Sequence, residues 1–231
     1  PSAGVNNAWN NREQYIFQTT ITYGDLEVAR NAQAKVDLIA GKQRGAAEVI
    51  QTDANRFYLL GVAGRKIYGL LNDPNVVDGA VTWPDKRALA NDVGTRAVYN
   101  DVLKLFGQLV SQAGGLIDNN SEIVLLVSPE RAVQLSMATN FNISVNEMIR
   151  TNFPNLRIDT IPQLSSATGG ETMMMLVKNF MGNTTADLAF GEKLRQGRLI
   201  PETSSFRQKF SASTYGAILK MPFAFAVMTG I

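Results

Sequence analysis

The 231-residue chain contains no cysteine and no histidine. Without cysteine there is no disulfide, no thiol nucleophile and no thiolate-held metal cluster. Without histidine there is no imidazole base, no Ser-His-Asp triad and no histidine-bound zinc or haem. Catalysis would have to run on carboxylates, lysine, tyrosine, or a hard metal held by oxygens. Charge is scarce as well. Charged residues make up 18% of the chain, against roughly 25% in soluble domains, and 22 Lys and Arg against 20 Asp and Glu leave +2. Interfaces are poor in Lys, Glu and Asp, so this fits a surface covered by partners, and equally an amide-rich monomer. The longest strongly apolar uncharged run, Met221 to Ile231, falls short of the ~20 residues that span a bilayer. The start Pro-Ser-Ala-Gly lacks the basic and apolar segments of a signal peptide. It also lacks an initiator Met, so we expect upstream residues, either removed by processing or still attached.

What is present supports a folded core. A hydrophobic fraction of 45% in a chain of this length suits one large domain or two small ones, with roughly three quarters of the unfolded surface buried on folding. Residues 1–24 read as an extended arm leading into a strand, Gln18 to Tyr23, after Trp9, Tyr15 and Phe17. From Asp25 to Leu60 there is no proline, and apolar residues recur at helical spacing: Leu26, Ala29, Val36, Ile39, Ala46, Ile50, Ala54, Phe57 and Leu60. One helix over that span would measure roughly 54 Å, whereas a compact globule of this length is about 45 Å across. Either Gly41 and Gly45 bend or break it, or the subunit is elongated or flat. A second helix is expected from about Thr95 to Ala113, capped by Gly114-Gly115. Ile123 to Val127 reads as a buried central strand. Ser128-Pro129-Glu130 opens a helix, and Ser144-Val-Asn-Glu147 is a capping box. Strands are expected at Leu156–Ile161, Thr172–Val177, Asp187–Phe190, Phe206–Leu219 and Phe223–Met228. The class is α+β, without repeats.

Four groups of residues could carry chemistry. Gly61-Val-Ala-Gly64-Arg65-Lys66 suggests a phosphate loop, but it lacks the G-x-x-x-x-G-K-[ST] spacing and follows a helix where such a loop follows a strand. A helix cap explains it better. Met173-Met-Met175 could form an adaptable binding surface, yet a strand buried on both faces accounts for it more simply. Arg195, Arg198, Arg207 and Lys209, with Phe206 and Phe210 interleaved, could hold phosphate and stack bases. The net charge is weak for that role, and solvated or intersubunit charges are the plainer reading. Asp73, Asp78, Asp85, Asp92 and Asp101 lack calcium-loop spacing and read as surface and cap residues. No catalytic, cofactor-binding or metal-ligating residue is assigned.

Several segments together resemble the major capsid proteins of tailed phages. They are the long helix closed by glycines, Tyr68-Gly-Leu-Leu-Asn72-Asp-Pro-Asn75-Val76, Val127-Ser-Pro-Glu130, Asn152-Phe-Pro-Asn-Leu-Arg-Ile158, and the ending from Tyr215-Gly-Ala-Ile through Lys220-Met-Pro-Phe to Thr229-Gly-Ile231. The order of these segments, from about Tyr23 to Ile231, carries the resemblance. It implies the Hong Kong 97-like capsid fold, with a peripheral domain holding a long spine helix and an axial domain with a central mixed sheet. Residues 1–24 would be the N-terminal arm or the end of an extended loop, and 25–82 the peripheral domain with its spine helix. Residues 83–199 would supply most of the axial domain, and 200–231 the strands returning to the peripheral domain. Residues 1–24 are too few for both an arm and a full hairpin loop, so no crosslinking chemistry is carried over.

The resemblance implies a non-enzymatic shell subunit that self-assembles into hexamers and pentamers of an icosahedral phage head around double-stranded DNA. It would be assembled in the host bacterial cytoplasm and located in the virion capsid. Its partners would be its own copies, portal, scaffolding and decoration proteins, and packaged DNA held by weak, sequence-independent contact; no membrane and no cofactor is implied. Near-neutrality would suit a wall that encloses DNA without gripping it. The alternatives are an encapsulin-type nanocompartment shell, a carboxylate or metal-dependent enzyme with convergent acids in one cleft, and a small-molecule or nucleotide-binding module.

Overall fold

The computed structural model describes residues 11–76, 91–166 and 171–229. Trp9, Asp78, Trp83-Pro84 and Asp85 lie outside them, as does the side chain of Asp92. Two compact units divide the chain: Pro1–Leu70 with Leu188–Ile218, and Leu71–Asp187 with Leu219–Ile231.

The first unit is a three-stranded sheet with helices on one face. Strand β1 (Tyr15–Gly24) runs straight into helix α1 (Asp25–Gln33), which is followed by α2 (Leu38–Leu60). Where one helix was expected over 25–60, there are two, and the interruption is not at the glycines. Gly41 and Gly45 sit inside α2. The break is at Lys35, whose φ of 54 closes α1 in a Schellman motif: Lys35 N–H donates to Ala32 and Val36 N–H to Asn31. Asp37 then caps α2, its carboxylate accepting from Ala40 N–H at 3.0 Å. Lys42 ties the corner together by donating to Glu27 at 2.6 Å and to the Thr22 carbonyl at 2.9 Å.

The same unit holds most of β7 (Ala186–Pro201) and β8 (Ser205–Leu219), which with β1 form a sheet of order β1-β8-β7. The register of β1 on β8 pairs Phe17 with Ala212, Thr19 with Phe210 and Tyr23 with Phe206. Paired residues share a face, and this face carries the core. Phe17, Phe210 and Ala212 pack with Ala46 and Ile50 of α2, bordered by Tyr15, Ile21, Ala54 and Phe57. The Tyr15 and Phe17 rings meet the Phe57 ring edge-on at 5.2 and 5.0 Å, a favoured aromatic geometry. After α2, residues 67–70 fold back against the helix end, with Leu70 N–H donating to Tyr58 at 2.9 Å. A Cβ on Gly69 would lie 2.4 Å from the Leu59 carbonyl oxygen, so this approach requires glycine.

The second unit is built on a mixed sheet of order β3-β2-β4-β9, where β2 is Ile123–Val127, β3 Arg157–Thr160, β4 Thr172–Val177 and β9 Phe225–Thr229. β2 lies parallel to β3 and antiparallel to β4, and β4 is antiparallel to β9. The chain divides at 187/188 and 218/219 instead of 199/200, because β7 joins β8 in the first sheet while β9 pairs with β4 in the second. Helix α3 (Asn91–Gln112) packs on β4 and β9. Its Val98, Val102, Leu105 and Leu109 recur every three or four residues and are fully buried. Gly115 N–H to Val110 and Gly114 N–H to Ser111 close it. Ser128 caps α4 (Pro129–Gln134) by accepting from Arg131 N–H at 3.3 Å. The capping box of α5 (Val145–Asn152) is complete: Ser144 N–H donates to Glu147 Oε2 at 3.1 Å, and Glu147 N–H to Ser144 Oγ at 3.2 Å. The hairpin β5 (Asn179–Phe180) and β6 (Asn183–Thr184) projects from the end of β4.

Candidate functional site

Among the described residues, none of the four sequence candidates assembles into a reactive site. Gly61 is the C-cap of α2, its N–H donating to Phe57 at 2.9 Å, and the turn it opens closes on a Val62–Ile67 bridge. The segment that follows is occupied: Arg65 pairs with Glu13 at 3.2 Å. Met173, Met174 and Met175 are all 0% exposed. Alternate residues point to opposite faces, so β4 is covered on both sides and the triplet is core. Asp73 is a turn residue, accepting from Asn75 N–H at 3.0 Å, and Asp101 pairs with Lys104 one helical turn on. Among the described residues no group of His, Cys, Asp and Glu could hold a metal ion, and no helix is long and apolar enough to cross a membrane.

The basic cluster is taken apart by strand alternation. Arg207 and Lys209 pair with Thr22 and Thr20, on the face opposite Phe206 and Phe210. Phe210 is buried under α2. Arg207 and Lys209 therefore do not share a face with Phe206 and Phe210, and the interleaving of these cations and rings in sequence makes no base-stacking platform of the kind an open sheet supports. Arg207 pairs with Glu202 at 3.1 Å.

What the structure offers instead is surface for contact. β7 is an edge strand of sixteen residues, and none of them is buried. Its outer edge presents N–H and C=O groups that no strand among the described residues takes up, and long exposed edges attract further chains. Leu188, Phe190 and Leu194, two to four residues apart, join Phe17, Ile50 and Ala54 in lining an apolar groove of about 460 Å³ between α2 and β7. A second groove, of about 450 Å³, lies at the other end of the sheet between Val28, Ala29, Ile39, Leu199 and Phe206. In the second unit two apolar side chains project from turns. Phe141 is 85% exposed on a loop held by Thr139 N–H to Ile143 and Asn142 N–H to Thr139. Met181 is 74% exposed at the β5–β6 turn. Large apolar groups exposed to water are suited to burial against a partner.

These are the residues that reading the sequence missed. The period-2 spacing of Leu188, Phe190 and Leu194 was a usable signal, since it marks one face of a strand. Phe141 carried none, because a lone aromatic in a polar loop reads the same whether buried or exposed.

Electrostatics at these surfaces is local. The hydrogen bond from Lys42 holds the Glu27 carboxyl below its ordinary range, and Lys220 does the same to Asp187 at 2.5 Å. Arg131 and Glu171 form a half-buried pair that also receives the Ser128 hydroxyl, anchoring the N-terminus of α4 to the start of β4.

A profile of the family described as Pa193 gp26 major capsid protein matches residues 1–230. No curated protein sequence matches the chain. Among solved structures, the capsid of Myoviridae phage XM1 superposes with a TM-score of 0.77 at 14% identity, over 95% of this chain and 74% of that one. A virus-like particle from Pyrococcus furiosus follows at 0.62 and 12%, covering 93% and 76%. Mycobacterium phage Che8 gives 0.59 and 16%, covering 93% and 70%.

Proposed function

This chain belongs to the Pa193 gp26 major capsid protein family, and from that premise we propose that its copies form the hexamers and pentamers of an icosahedral head around double-stranded DNA. It has the Hong Kong 97-like capsid fold and is a structural subunit of a phage shell. The finer reading is supported by what the surfaces offer: a long strand edge that no strand among the described residues takes up, two apolar grooves and two projecting apolar side chains. We assign the unit with α2 and the β1-β8-β7 sheet to the peripheral domain, and the unit with the mixed sheet to the axial domain.

The work done is energetic, without chemical turnover. An interface of standard size buries about 1,600 Å², and symmetry multiplies each contact around a closed shell. Assembly would take place in the host bacterial cytoplasm, with portal, scaffolding and decoration proteins as further partners. Contact with packaged DNA would be weak and independent of sequence. The observation that carries this reading is the family match over nearly the whole chain. The likeness to the Pyrococcus furiosus particle is one of fold, and fold alone does not separate a phage head from other shells.

Negative-stain microscopy of the expressed full chain tests the proposal. Closed shells, or six-fold and five-fold rings, are expected. A monomer that forms no particle at high concentration would remove it.

A further inference from the structure

The first unit carries 13 Lys and Arg against 8 Asp and Glu, and residues 188–218 alone hold five of those cations and two of the carboxylates. The two faces of the unit differ in how the signs are arranged. On α2, exposed Arg44 and Arg56 stand one helical turn from Glu48 and Asp53, so cations and carboxylates are mixed there. The face of the β1-β8-β7 sheet turned away from α2 is of one sign. Strand alternation and the β1–β8 register place Gln18, Thr20 and Thr22 on it beside Arg207 and Lys209. Two glycines identify which residues of β7 join them. A Cβ on Gly197 would lie 3.5 Å from the Lys209 Cβ, and one on Gly191 2.6 Å from the Gln14 amide nitrogen and the Ser213 hydroxyl oxygen. Positions 191 and 197 therefore belong to this face, and so does Arg195 between them.

Arg195, Arg207 and Lys209 are all exposed. No Asp or Glu occupies a position of this face along β1, along β8, or along β7 from Gly191 to Gly197. Two carboxylates reach it from outside. Glu202, between β7 and β8, pairs with Arg207 at 3.1 Å, and Glu192 approaches Arg195 only at 3.9 Å. Lys209 meets no carboxylate among the described residues. Around these cations Gln18, Thr20, Thr22 and Ser211 add neutral donors of the kind that bind phosphate oxygens. A second copy of the chain offers no acidic face to match. In its second unit exposed Lys178 adjoins Glu122, whose carbonyl takes the Lys178 N–H at 2.9 Å, and exposed Arg150 lines a cleft with Ala132 and Leu135 beside α4.

We infer that the open face of the β1-β8-β7 sheet holds the phosphate backbone of double-stranded nucleic acid, through Arg195, Arg207 and Lys209. This rests on the proposed shell function and says which surface of the subunit meets the packaged DNA. Phosphate contacts position a duplex without reading its sequence. Each phosphate neutralised adds about 0.9 to the slope of log affinity against log salt. Three cations therefore give a weak contact with a steep salt dependence, repeated once per subunit around the shell.

The test is fluorescence anisotropy of labelled duplexes of about 20 base pairs, in two unrelated sequences, with the full chain held below its assembly concentration. Arg195→Gln/Arg207→Gln/Lys209→Gln strips the face. Arg30→Gln/Arg44→Gln/Arg56→Gln removes the same charge from the helices, at positions that are also exposed. Thermal melts confirm that each variant folds. The wild-type chain should bind both duplexes equally. The face variant should bind at least about tenfold more weakly at about 50 mM salt, with a salt slope lower by about 2–3. The helix variant should stay within about threefold of the wild type. A wild-type chain that binds neither duplex overturns the inference. So does a helix variant that loses as much as the face variant, because net charge and not this face is then responsible. A face variant that binds duplex as the wild type does overturns it too; if that variant also no longer forms particles in negative stain, the face belongs to contact between copies. In each of these cases wild-type shells leave the proposed function standing. A wild-type chain that binds duplex through this face and never forms a particle would remove the proposed function while upholding the phosphate site.

Discussion

Gly216 and Tyr68 meet backbone to backbone: a Cβ on Gly216 would lie 2.3 Å from the Tyr68 carbonyl oxygen, which also accepts the Ala217 N–H at 2.9 Å. Gly216 has φ 83 as well, in the region L-residues avoid. The contact fastens the turn after α2 to the end of β8. Gly216→Ala therefore imposes both strain and a clash that flexible side chains cannot relieve. We predict a loss of at least about 2 kcal/mol of unfolding stability, read by denaturant titration.

Gly41 and Gly45 should behave in the opposite way. A Cβ at either position meets nothing within 4 Å, and both lie inside α2. Glycine costs about 1 kcal/mol relative to alanine in an exposed helix. Gly41→Ala and Gly45→Ala should each raise the stability of the isolated chain by roughly that amount, measured by the same titration.

Lys35 occupies the left-handed position that ends α1. Lys35→Gly should relieve that strain and stabilise the chain by several tenths to about 1 kcal/mol, seen as a rise in the denaturation midpoint. An unchanged or lower midpoint would contradict this account of how α1 ends.

The hydrogen bond from Lys42 lowers the Glu27 carboxyl below its reference value of 4.5. The folded value lies below the unfolded one, so the contribution to stability is present above about pH 4.5 and is lost as pH falls through the folded value. Carboxyl titration by NMR should find a depressed midpoint for Glu27, and Lys42→Met should return it towards the reference. The Lys220–Asp187 pair should behave in the same way, from a reference of 3.8.

Burial separates two methionines of the same sheet-and-hairpin segment. Met174 is wholly buried in β4 and Met181 is 74% exposed. Met174→Ala should cost about 2–5 kcal/mol, whereas Met181→Ala should stay within about 0.5 kcal/mol. Chemical denaturation of the two variants side by side checks the contrast.

Most elements were legible in the sequence because their signals are local. Ser128 and Ser144 announce helices through groups three residues apart, and Val98, Val102, Leu105 and Leu109 repeat at the period of one helix face. The central position of β2 followed from its unbroken apolar run. The break at Lys35 was hidden because the left-handed position normally marked by glycine is filled by lysine, while two real glycines nearby drew attention to themselves inside an intact helix. The separation of Arg207 and Lys209 from Phe210 needed only strand alternation, but a composition-level reading of a basic, aromatic stretch passes over it.

The most direct measurement is the particle mass in solution by multi-angle light scattering, on the full chain under assembly conditions. The shell assignment predicts a narrow population with a mass many times the 25.2 kDa of one chain, reached cooperatively as concentration rises. A mass that stays at 25.2 kDa across the whole concentration range would contradict it.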